Sequence, residues 1–558
     1  AGGRGEGGSD ITAAKVRGWY ALALETLEEY CATRFEMLVS STVPEDKEGT
    51  VDVGLLVSEH QKIIDEIVTV KDLVEACFPP HYHIGDLFVQ WYHGHLVNQV
   101  HRIMEQHAAA LSTRDIIQVV GWLRDYEGQL DGLGVVAEPV LTQDLDQLLQ
   151  GYNFQTESAM RNWAARILET DFSLPPESAG DGRLYTMAPV DLFKMIDQQF
   201  EVAHALEVER STYTLAMTVT NVLEDYRASL LDVIARLGAT KLQLDHICAQ
   251  INNSVRCVEC CLELHSALAG RLPARLVENI ELNRAADAFA NVGKVGTEVV
   301  GAIIGLDLAP LLKTLFSPRW ASGLDLVAES VAATVEDYAA EVKVFLMESF
   351  FRKVLIEVLQ RVVVLTLARL LDRKGLEANR VACDAELAAG FSQDLSIYSS
   401  AFAALGLPPR MLAPRLLPLQ LFAELLAILG EEHDPGSAAL KERVAVWYAK
   451  ATGLVPALPI DALARILRRL PFLDPPSRHL VLVASHEARR AAEASGEGGA
   501  GHSPFEPFAA VYEELGARPL PLEKQEDKGT KFDTGKILEA VKRRGAGLRG
   551  NKQGGAGA

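Results

Sequence analysis

The histidines of this chain are concentrated in one stretch, where their ring nitrogens could bind a metal ion. Imidazole is a common ligand of zinc and iron, usually beside carboxylates, and Asp86 and Glu105 lie in the same stretch. Two pairs of these histidines are two positions apart, which on a helix directs their rings about 200° from each other. Neither an HExxH motif nor paired ExxH motifs occur in the sequence. We therefore interpret the histidines as partly exposed polar positions on a helix, with a metalloprotein as the alternative hypothesis. They are His81, His83, His93, His95, His101 and His107.

A second group of possible metal or redox ligands lies further along the chain. Cys257, Cys260 and Cys261 stand at helical spacings with His265. A Cys-x-x-Cys pair can be redox-active or can form half of a zinc site, but the sequence has no second matched pair at a suitable distance. Because cysteine is also a common small core residue, we predict that this group packs in a helix core.

No catalytic motif stands out among the remaining residues. The stretch from Gly293 to Thr297 reads Gly-Lys-Val-Gly-Thr, which superficially resembles a nucleotide-binding loop. It lacks the Gly-x-x-x-x-Gly-Lys-Ser/Thr order, and no buried strand is predicted before it. A GxSxG nucleophile elbow is also missing from the sequence. We therefore predict a protein that is not an enzyme, with no catalytic residue, cofactor or bound metal.

The C-terminal tail differs from the rest of the chain in the sign of its charge. Basic residues outnumber acidic ones there, and a short apolar face formed by Ile537, Leu538, Val541 and Leu548 lies beside them. Such a tail can lie on an anionic membrane, where each basic residue contributes about 1 kcal/mol. The alternative is a solvated tail that aids solubility. The residues that we assign to a possible membrane contact are Lys536, Lys542, Arg543 and Arg544.

Composition limits the class of protein. The chain has 558 residues, of which 48% are hydrophobic and only 7% aromatic, so we expect several cores of packed helices. A net charge of −21 argues against nucleic-acid binding. Seven scattered cysteines favour a reducing compartment, and the longest uncharged run, Leu395 to Pro409, is too short to span a bilayer. We expect a soluble cytoplasmic protein, part of whose natural N-terminus precedes Ala1.

Apolar periodicity predicts helices along most of the chain, the strongest from Glu341 to Leu371. Leu480 to Val483 is the clearest strand pattern, and Gly406 to Pro414 is a proline-rich break. The pattern predicts disorder over 1–8, a helical bundle over 9–172, a linker over 173–189, a helical bundle over 190–375, a C-terminal helical bundle over 376–495, and a largely disordered basic tail over 496–558.

Six stretches, in order over roughly residues 15 to 400, resemble the exocyst complex component three family (the Sec-six subunit), especially its plant and algal members. They are Cys77 to Tyr82; Gly121-Trp122-Leu123 with Tyr126 and Leu133-Gly134-Val135; Trp163 with Ile167-Leu168-Glu169; Leu184-Tyr185-Thr186 with Val190 to Phe193; Ile251-Asn252-Asn253 with Arg256-Cys257; and Asp337-Tyr338 with Val342-Lys343 and Phe350-Phe351-Arg352.

The resemblance implies an all-α, elongated rod of stacked helical bundles of the multisubunit tethering complex type. Such a subunit would assemble with the other exocyst subunits and dock secretory vesicles at the plasma membrane before SNARE-mediated fusion. SNARE proteins and their regulators would be further partners, and recruitment from the cytoplasm to sites of secretion would be peripheral. The family also implies an N-terminal coiled-coil segment for assembly, which we expect this chain to lack. A helical scaffold of another trafficking complex is the alternative.

Overall fold

The computed structural model describes residues 9–39, 51–107, 111–134, 144–205, 209–240, 243–372, 385–431, 438–468, 470, 473–494 and 505–516. Nearly all of these residues are helical, and two strands of two residues each form a small antiparallel sheet. The predicted all-α fold class is therefore confirmed.

The first half of the chain contains ten helices and the two strands. They are α1 (Ser9–Val39), α2 (Val53–Thr69), α3 (Ile84–His107), α4 (Thr113–Gly132), α5 (Asp144–Ser173), β1 (Glu177–Ser178), β2 (Leu184–Tyr185), α6 (Ala188–Ala205), α7 (Glu209–Thr240), α8 (Leu244–Ala269), α9 (Ala274–Val277) and α10 (Leu282–Leu312). A π-helical turn, Val70–Val74, and two 3-10 turns, Glu75–Cys77 and Pro80–Tyr82, lie between α2 and α3.

The second half contains the remaining described helices. They are α11 (Pro318–Ala321), α12 (Val327–Phe345), α13 (Glu348–Leu371), α14 (Ala385–Ala404), α15 (Pro409–Gly430), α16 (Ala438–Leu454), α17 (Ile460–Leu467), α18 (Pro475–Ala494) and α19 (Phe508–Glu514). The chain divides into two compact units. Unit 1 comprises Ala1–Pro175, Met187–Leu230 and Arg256–Ala290, and unit 2 comprises Pro176–Thr186, Leu231–Val255 and Asn291–Ala558.

In unit 1, polar side chains define where helices begin. The carboxylate of Asp52 accepts the N–H of Leu55 at 3.0 Å before α2. Ser112 and Asp115 form a reciprocal capping box at the start of α4. These contacts satisfy N–H groups that have no partner within the helix. The apolar faces of α1 to α5 then bury a common core that includes Ile67, the most deeply buried residue of α2.

In unit 2, α13 is a central helix whose C-terminal half is apolar on every side. The seven consecutive residues from Val362 to Ala368 are all buried. A helix that is hydrophobic all round must be covered by neighbours, and α12, α15, α17 and α19 pack against it. Burial on all faces explains why the periodicity from Glu341 to Leu371 is broad instead of forming one narrow stripe.

Two helices are long and apolar enough, by length and composition, to cross a membrane. They lie in the stretch Ala274–Leu312, which contains α9 and α10, and in α15, Pro409–Gly430. In their most apolar windows, 50% and 56% of the residues are buried inside the fold. Core helices of soluble proteins have the same composition, so these helices give only weak support for a membrane-spanning role.

Three local predictions were wrong. The helix predicted from Glu341 to Leu371 is two helices, since α12 ends at Phe345 and α13 begins at Glu348. Leu480 to Val483, predicted as a strand, lies within α18, which Asp474 caps by accepting the N–H of Ser477. The proline-rich break at Gly406 to Pro414 ends sooner than predicted, because α15 starts at Pro409, where the missing N–H of a proline costs nothing. Within 496–558, residues 505–516 are described and contain α19.

Candidate functional site

The break between α12 and α13 is held by one buried side chain. Asn252, on α8, is fully buried. Its Nδ2 donates to the carbonyl oxygen of Phe345 and to that of Leu184, each at 2.8 Å. Its Oδ1 accepts the N–H of Met347 at 3.1 Å. Asn252 therefore satisfies backbone groups on both sides of the break and fastens strand β2 to the same point.

The neighbouring residue Asn253 fastens the end of the hairpin formed by β1 and β2. It is 2% exposed, its Nδ2 donates to Oγ1 of Thr186 at 2.6 Å, and its Oδ1 accepts the N–H of Thr186 at 3.3 Å. At the hairpin tip, Gly182 has a φ of +82°, a conformation that favours glycine. The hairpin is thus fixed by the asparagine pair at its base and by its turn at the tip.

A surface groove of about 600 Å³ lies beside this break, entirely within unit 2. Its floor is apolar and its rim is charged. The apolar lining residues are Val344, Leu346, Phe351, Leu355 and Leu405. The charged lining residues are Asp181, Arg183, Lys343, Glu348 and Arg352. Binding sites for ligands have volumes of about 300–1,000 Å³, so the groove has the size of a binding site.

Most of the rim charges are already paired. Arg183 lies 3.4 Å from Asp181 along the hairpin tip, and Arg352 lies 2.8 Å from Glu348 one turn earlier on α13. Lys343 is exposed, and within the described part of the chain no carboxylate lies within ion-pair distance of it. The rim therefore carries one unneutralised positive charge beside an apolar floor.

Three of the six stretches that carry the family resemblance meet at the helix break beside this groove, and one of them lines the groove itself. They contribute Leu184 of the hairpin, Asn252 of α8, and both Lys343 and Arg352 on either side of the helix break. Sequence reasoning selected these residues only for their resemblance and assigned them no role. The available signal was the Asn-Asn pair itself, because buried amides need hydrogen-bond partners.

The structure does not bring the histidine stretch together as a metal site. His101 is exposed, and His93 and His95 are half-buried on α3, as predicted. His81 and His83 lie instead at the turn before α3, where His83 has a φ of +48°, and His107 is buried with 1% exposure. Within the described ranges, no three His, Cys, Asp or Glu side chains converge to hold a metal ion.

Two of these histidines, both on α3, make stacking contacts with aromatic rings instead. The ring of His95 stacks on Phe35 with a centroid distance of 5.4 Å, and that of His93 stacks on Tyr126 at 6.0 Å. The Nδ1 atom of His93 lies 3.3 Å from the hydroxyl oxygen of Tyr126. The half-buried rings therefore contribute to the core of unit 1.

The cysteine group is a core feature, as predicted. Cys257 and Cys261 are buried on α8, and Cys260 is half-buried. Burial raises the pKa of the Cys261 thiol to about 12 and that of Cys257 well above its ordinary value. A thiol with such a pKa stays protonated near neutral pH, and the thiolate is the reactive and metal-binding form.

The stretch from Gly293 to Thr297 lies inside helix α10, not in a loop. A Cβ atom at Gly293 would come within 2.5 Å of Oγ of Ser254, and one at Gly296 within 2.5 Å of Cγ1 of Ile251. These glycines therefore permit close packing of α10 against α8, which explains their spacing without a phosphate ligand.

The buried acid Asp394 was not identified from the sequence. Asp394, on α14, is 8% exposed, and its Oδ2 accepts the Nε1–H of Trp320 at 2.9 Å. Burial raises the pKa of Asp394 to about 6. No local pattern marks this residue, since it occupies an inward position of an apolar helix.

The membrane-contact residues Lys536, Lys542, Arg543 and Arg544 lie outside the described residues.

These features define a helical-bundle protein that carries a preformed surface groove suited to binding. The family model described as Exocyst complex component Sec6 matches residues 4–435. The chain therefore belongs to the exocyst complex component Sec6 family, and the family resemblance read from the sequence is confirmed.

The chain is similar to several members of this family. Exocyst complex component 3 of Drosophila melanogaster is 21% identical over 396 residues, which are 66% of this chain and 52% of that protein. Exocyst complex component SEC6 of Saccharomyces cerevisiae is 20% identical over 314 residues, 50% of this chain and 39% of that protein. The chain thus spans about half, or less, of the length of these relatives.

Two crystal structures share the fold. The C-terminal domain of the exocyst subunit Sec6p superposes with a TM-score of 0.54 at 16% identity, covering 64% of this chain and 96% of that domain. M-Sec superposes with a TM-score of 0.51 at 15% identity, covering 89% of this chain and 80% of that structure. Both similarities support the all-helical architecture.

Proposed function

We propose that this chain acts as a non-enzymatic subunit of the exocyst, tethering secretory vesicles at the plasma membrane before SNARE-mediated fusion. The observation that carries the proposal is the family match over residues 4–435. The helical architecture is consistent with it, since long packed helices present extended surfaces on which several weak contacts can act together through effective concentration.

The proposed partners are the other exocyst subunits, and beyond them SNARE proteins and their regulators. The proposed location is the cytoplasm, with peripheral recruitment to sites of secretion. The proposed division of the protein is into helical bundles at 9–172, 190–375 and 376–495, with 173–189 as the linker between the first two. Binding and not turnover is the proposed mechanism, so the affinity of each surface and the number engaged together would determine tethering.

Affinity purification of the complete, tagged gene product from its own cells tests this function. We expect mass spectrometry to find the other exocyst subunits in near-equal amounts with the bait. The matched control is an unrelated tagged cytosolic protein expressed at the same level. Recovery of intact, abundant bait without exocyst subunits would contradict the proposal, and a different stable set of trafficking proteins would favour the alternative of another helical scaffold.

A peripheral membrane contact through the basic tail is a separate part of the proposal. Sedimentation with vesicles containing phosphatidylserine should show binding that falls when Lys536, Lys542, Arg543 and Arg544 are replaced by alanine, and that falls with added salt. The matched control removes four exposed cations from the described part of the chain. They are Arg275, Lys313, Lys441 and Arg490. Equal loss of binding in both variants would show a general charge effect and would contradict a specific role of the tail.

A further inference from the structure

The groove beside the helix break has an exposed apolar side chain at its mouth. Val344 at its mouth is 59% exposed although it is apolar, and beneath it the buried side chains of Leu346 and Phe351 form the floor. Exposed apolar surface next to a concavity gains free energy when another apolar group covers it. The floor therefore favours an occupant with a large aliphatic or aromatic side chain.

The rim selects the charge of the occupant. Asp181 and Glu348 are each paired with an arginine, whereas Lys343 is the rim cation without an ion-pair partner among the described residues. A single carboxylate placed beside Lys343 would complete the pairing of the rim. A run of phosphates would instead meet the two rim carboxylates, so the rim disfavours nucleic acid and a polyanionic membrane surface.

From the floor and the rim together, we propose that the groove binds a short segment of a partner protein in which an acidic residue stands next to a large apolar residue. The apolar side chain occupies the floor below Val344, and the carboxylate pairs with Lys343. This inference depends on the groove alone and does not depend on the proposed exocyst function.

The groove is preformed, which favours binding of a flexible peptide. Asn252 fixes both sides of the helix break, and Asn253 fixes the hairpin that supplies Asp181 and Arg183. Because the protein side is already ordered, the entropy lost on binding falls mainly on the peptide. Association should be weak for a single segment, as is typical of short linear motifs that add to other contacts.

Selection from a phage-displayed library of random dodecamer peptides, with the full chain as bait, tests the inference. We expect enriched sequences in which Asp or Glu lies within three positions of Leu, Ile, Phe or Trp. A fluorescent peptide made from the enriched consensus should then bind more weakly to Lys343→Glu by about tenfold, equivalent to about 1.4 kcal/mol, measured by fluorescence anisotropy. Val344→Asp should weaken binding at least as much, since it places a charge over the apolar floor.

Matched controls separate the groove from general effects. Lys313→Glu and Val446→Asp make the same changes at exposed positions of unit 2 that do not line the groove, and both should bind the peptide as the wild type does. Because both groove positions are exposed, we expect unchanged helical circular dichroism in all four variants. The inference is overturned if no peptide is enriched, if basic peptides are enriched, or if the enriched peptide binds the groove variants and the controls equally.

Discussion

Replacement of Asp394 by asparagine is expected to stabilise unit 2 at neutral pH. The carboxyl group is 8% exposed, and burial is the main reason that its pKa rises from 3.8 to about 6, with a smaller contribution from the negative charge of Glu329. The hydrogen bond from Trp320 acts in the opposite direction and lowers the pKa. The folded state therefore binds the Asp394 proton more tightly than the unfolded state does.

The sign and size of the effect follow from this difference. Below pH 3.8 the group is protonated in both states and has no effect, and between pH 3.8 and 6 its contribution makes the protein less stable as pH rises. Above pH 6 the penalty is constant at about 3 kcal/mol, since each pKa unit corresponds to 1.36 kcal/mol. The amide of Asp394→Asn mimics the protonated carboxyl group and still accepts the Trp320 N–H, whose favourable effect on the ionised form is already contained in the pKa. We expect a net gain of about 3 kcal/mol at pH 7.5.

Hydrogen exchange of α14, followed by mass spectrometry and corrected for intrinsic rates, measures this gain locally. Local measurement is preferable because a chain of two units need not unfold in one step. The variant should protect α14 more than the wild type at pH 7.5, and the difference should shrink as the pH falls below 6 and disappear only below pH 3.8. As a control, Asp394→Ala also removes the carboxyl group but leaves the Trp320 N–H without its acceptor, so it should stabilise less than Asp394→Asn at pH 7.5 and should destabilise below pH 3.8. Destabilisation by Asp394→Asn at pH 7.5 would refute the reasoning, because it would mean that the ionised carboxylate stabilises the fold.

Three further outcomes are expected. Burial lowers the pKa of His60, so protonation of the unfolded state should reduce the stability of unit 1 as the pH falls below 6.5, whereas above pH 6.5 His60 has no such effect. His60→Gln should remove this pH dependence from the hydrogen exchange of α2. Gly301→Ala should cost about 1–3 kcal/mol in thermal or urea unfolding, because its Cβ would lie 2.6 Å from a side chain of α13, whereas Gly94→Ala, with open space around it, should stabilise. Tyr512→Phe removes a 2.9 Å hydrogen bond to buried Asp461 and should speed exchange in 505–516, leaving unit 1 unchanged.

The sequence predicted which regions are helical better than it predicted the residues at which each helix ends. Apolar periodicity is local, so it identified the helical regions, and helical spacing indicated the core position of Cys257. The end of α12 is not a local property, since Leu346 and Met347 are both apolar and neither is glycine or proline. It depends on Asn252, 95 positions before Met347, whose amide replaces the lost helical hydrogen bonds. Tertiary contact therefore overrides helix propensity at this point.

The wrong strand prediction at Leu480 has a different cause, because here the local sequence did contain the correct signal. Its short run of aliphatic residues is a strand pattern, but Asp474 followed by two prolines is the signature of a helix start, and the start signal carried more information than the run. Asp394 and Asn252 had no comparable signal beyond their polarity, because a single sequence cannot show which polar residue of an apolar helix faces inward. Candidate sites built from buried polar groups are therefore found only once the packing is known.

In the groove, the residues that maintain the structure differ from the residues that determine which ligand binds. Asn252 contributes three hydrogen bonds to three backbone segments and is fully buried, so its loss would leave unpaired groups and disturb the break itself. Lys343 and Val344 are exposed and contribute little to packing, so their replacement changes only what the groove attracts. In chains that share this fold, the asparagine contact can therefore stay constant and keep the helix break intact while the rim residues vary. A change in the rim charge would then change which peptide segment the groove prefers.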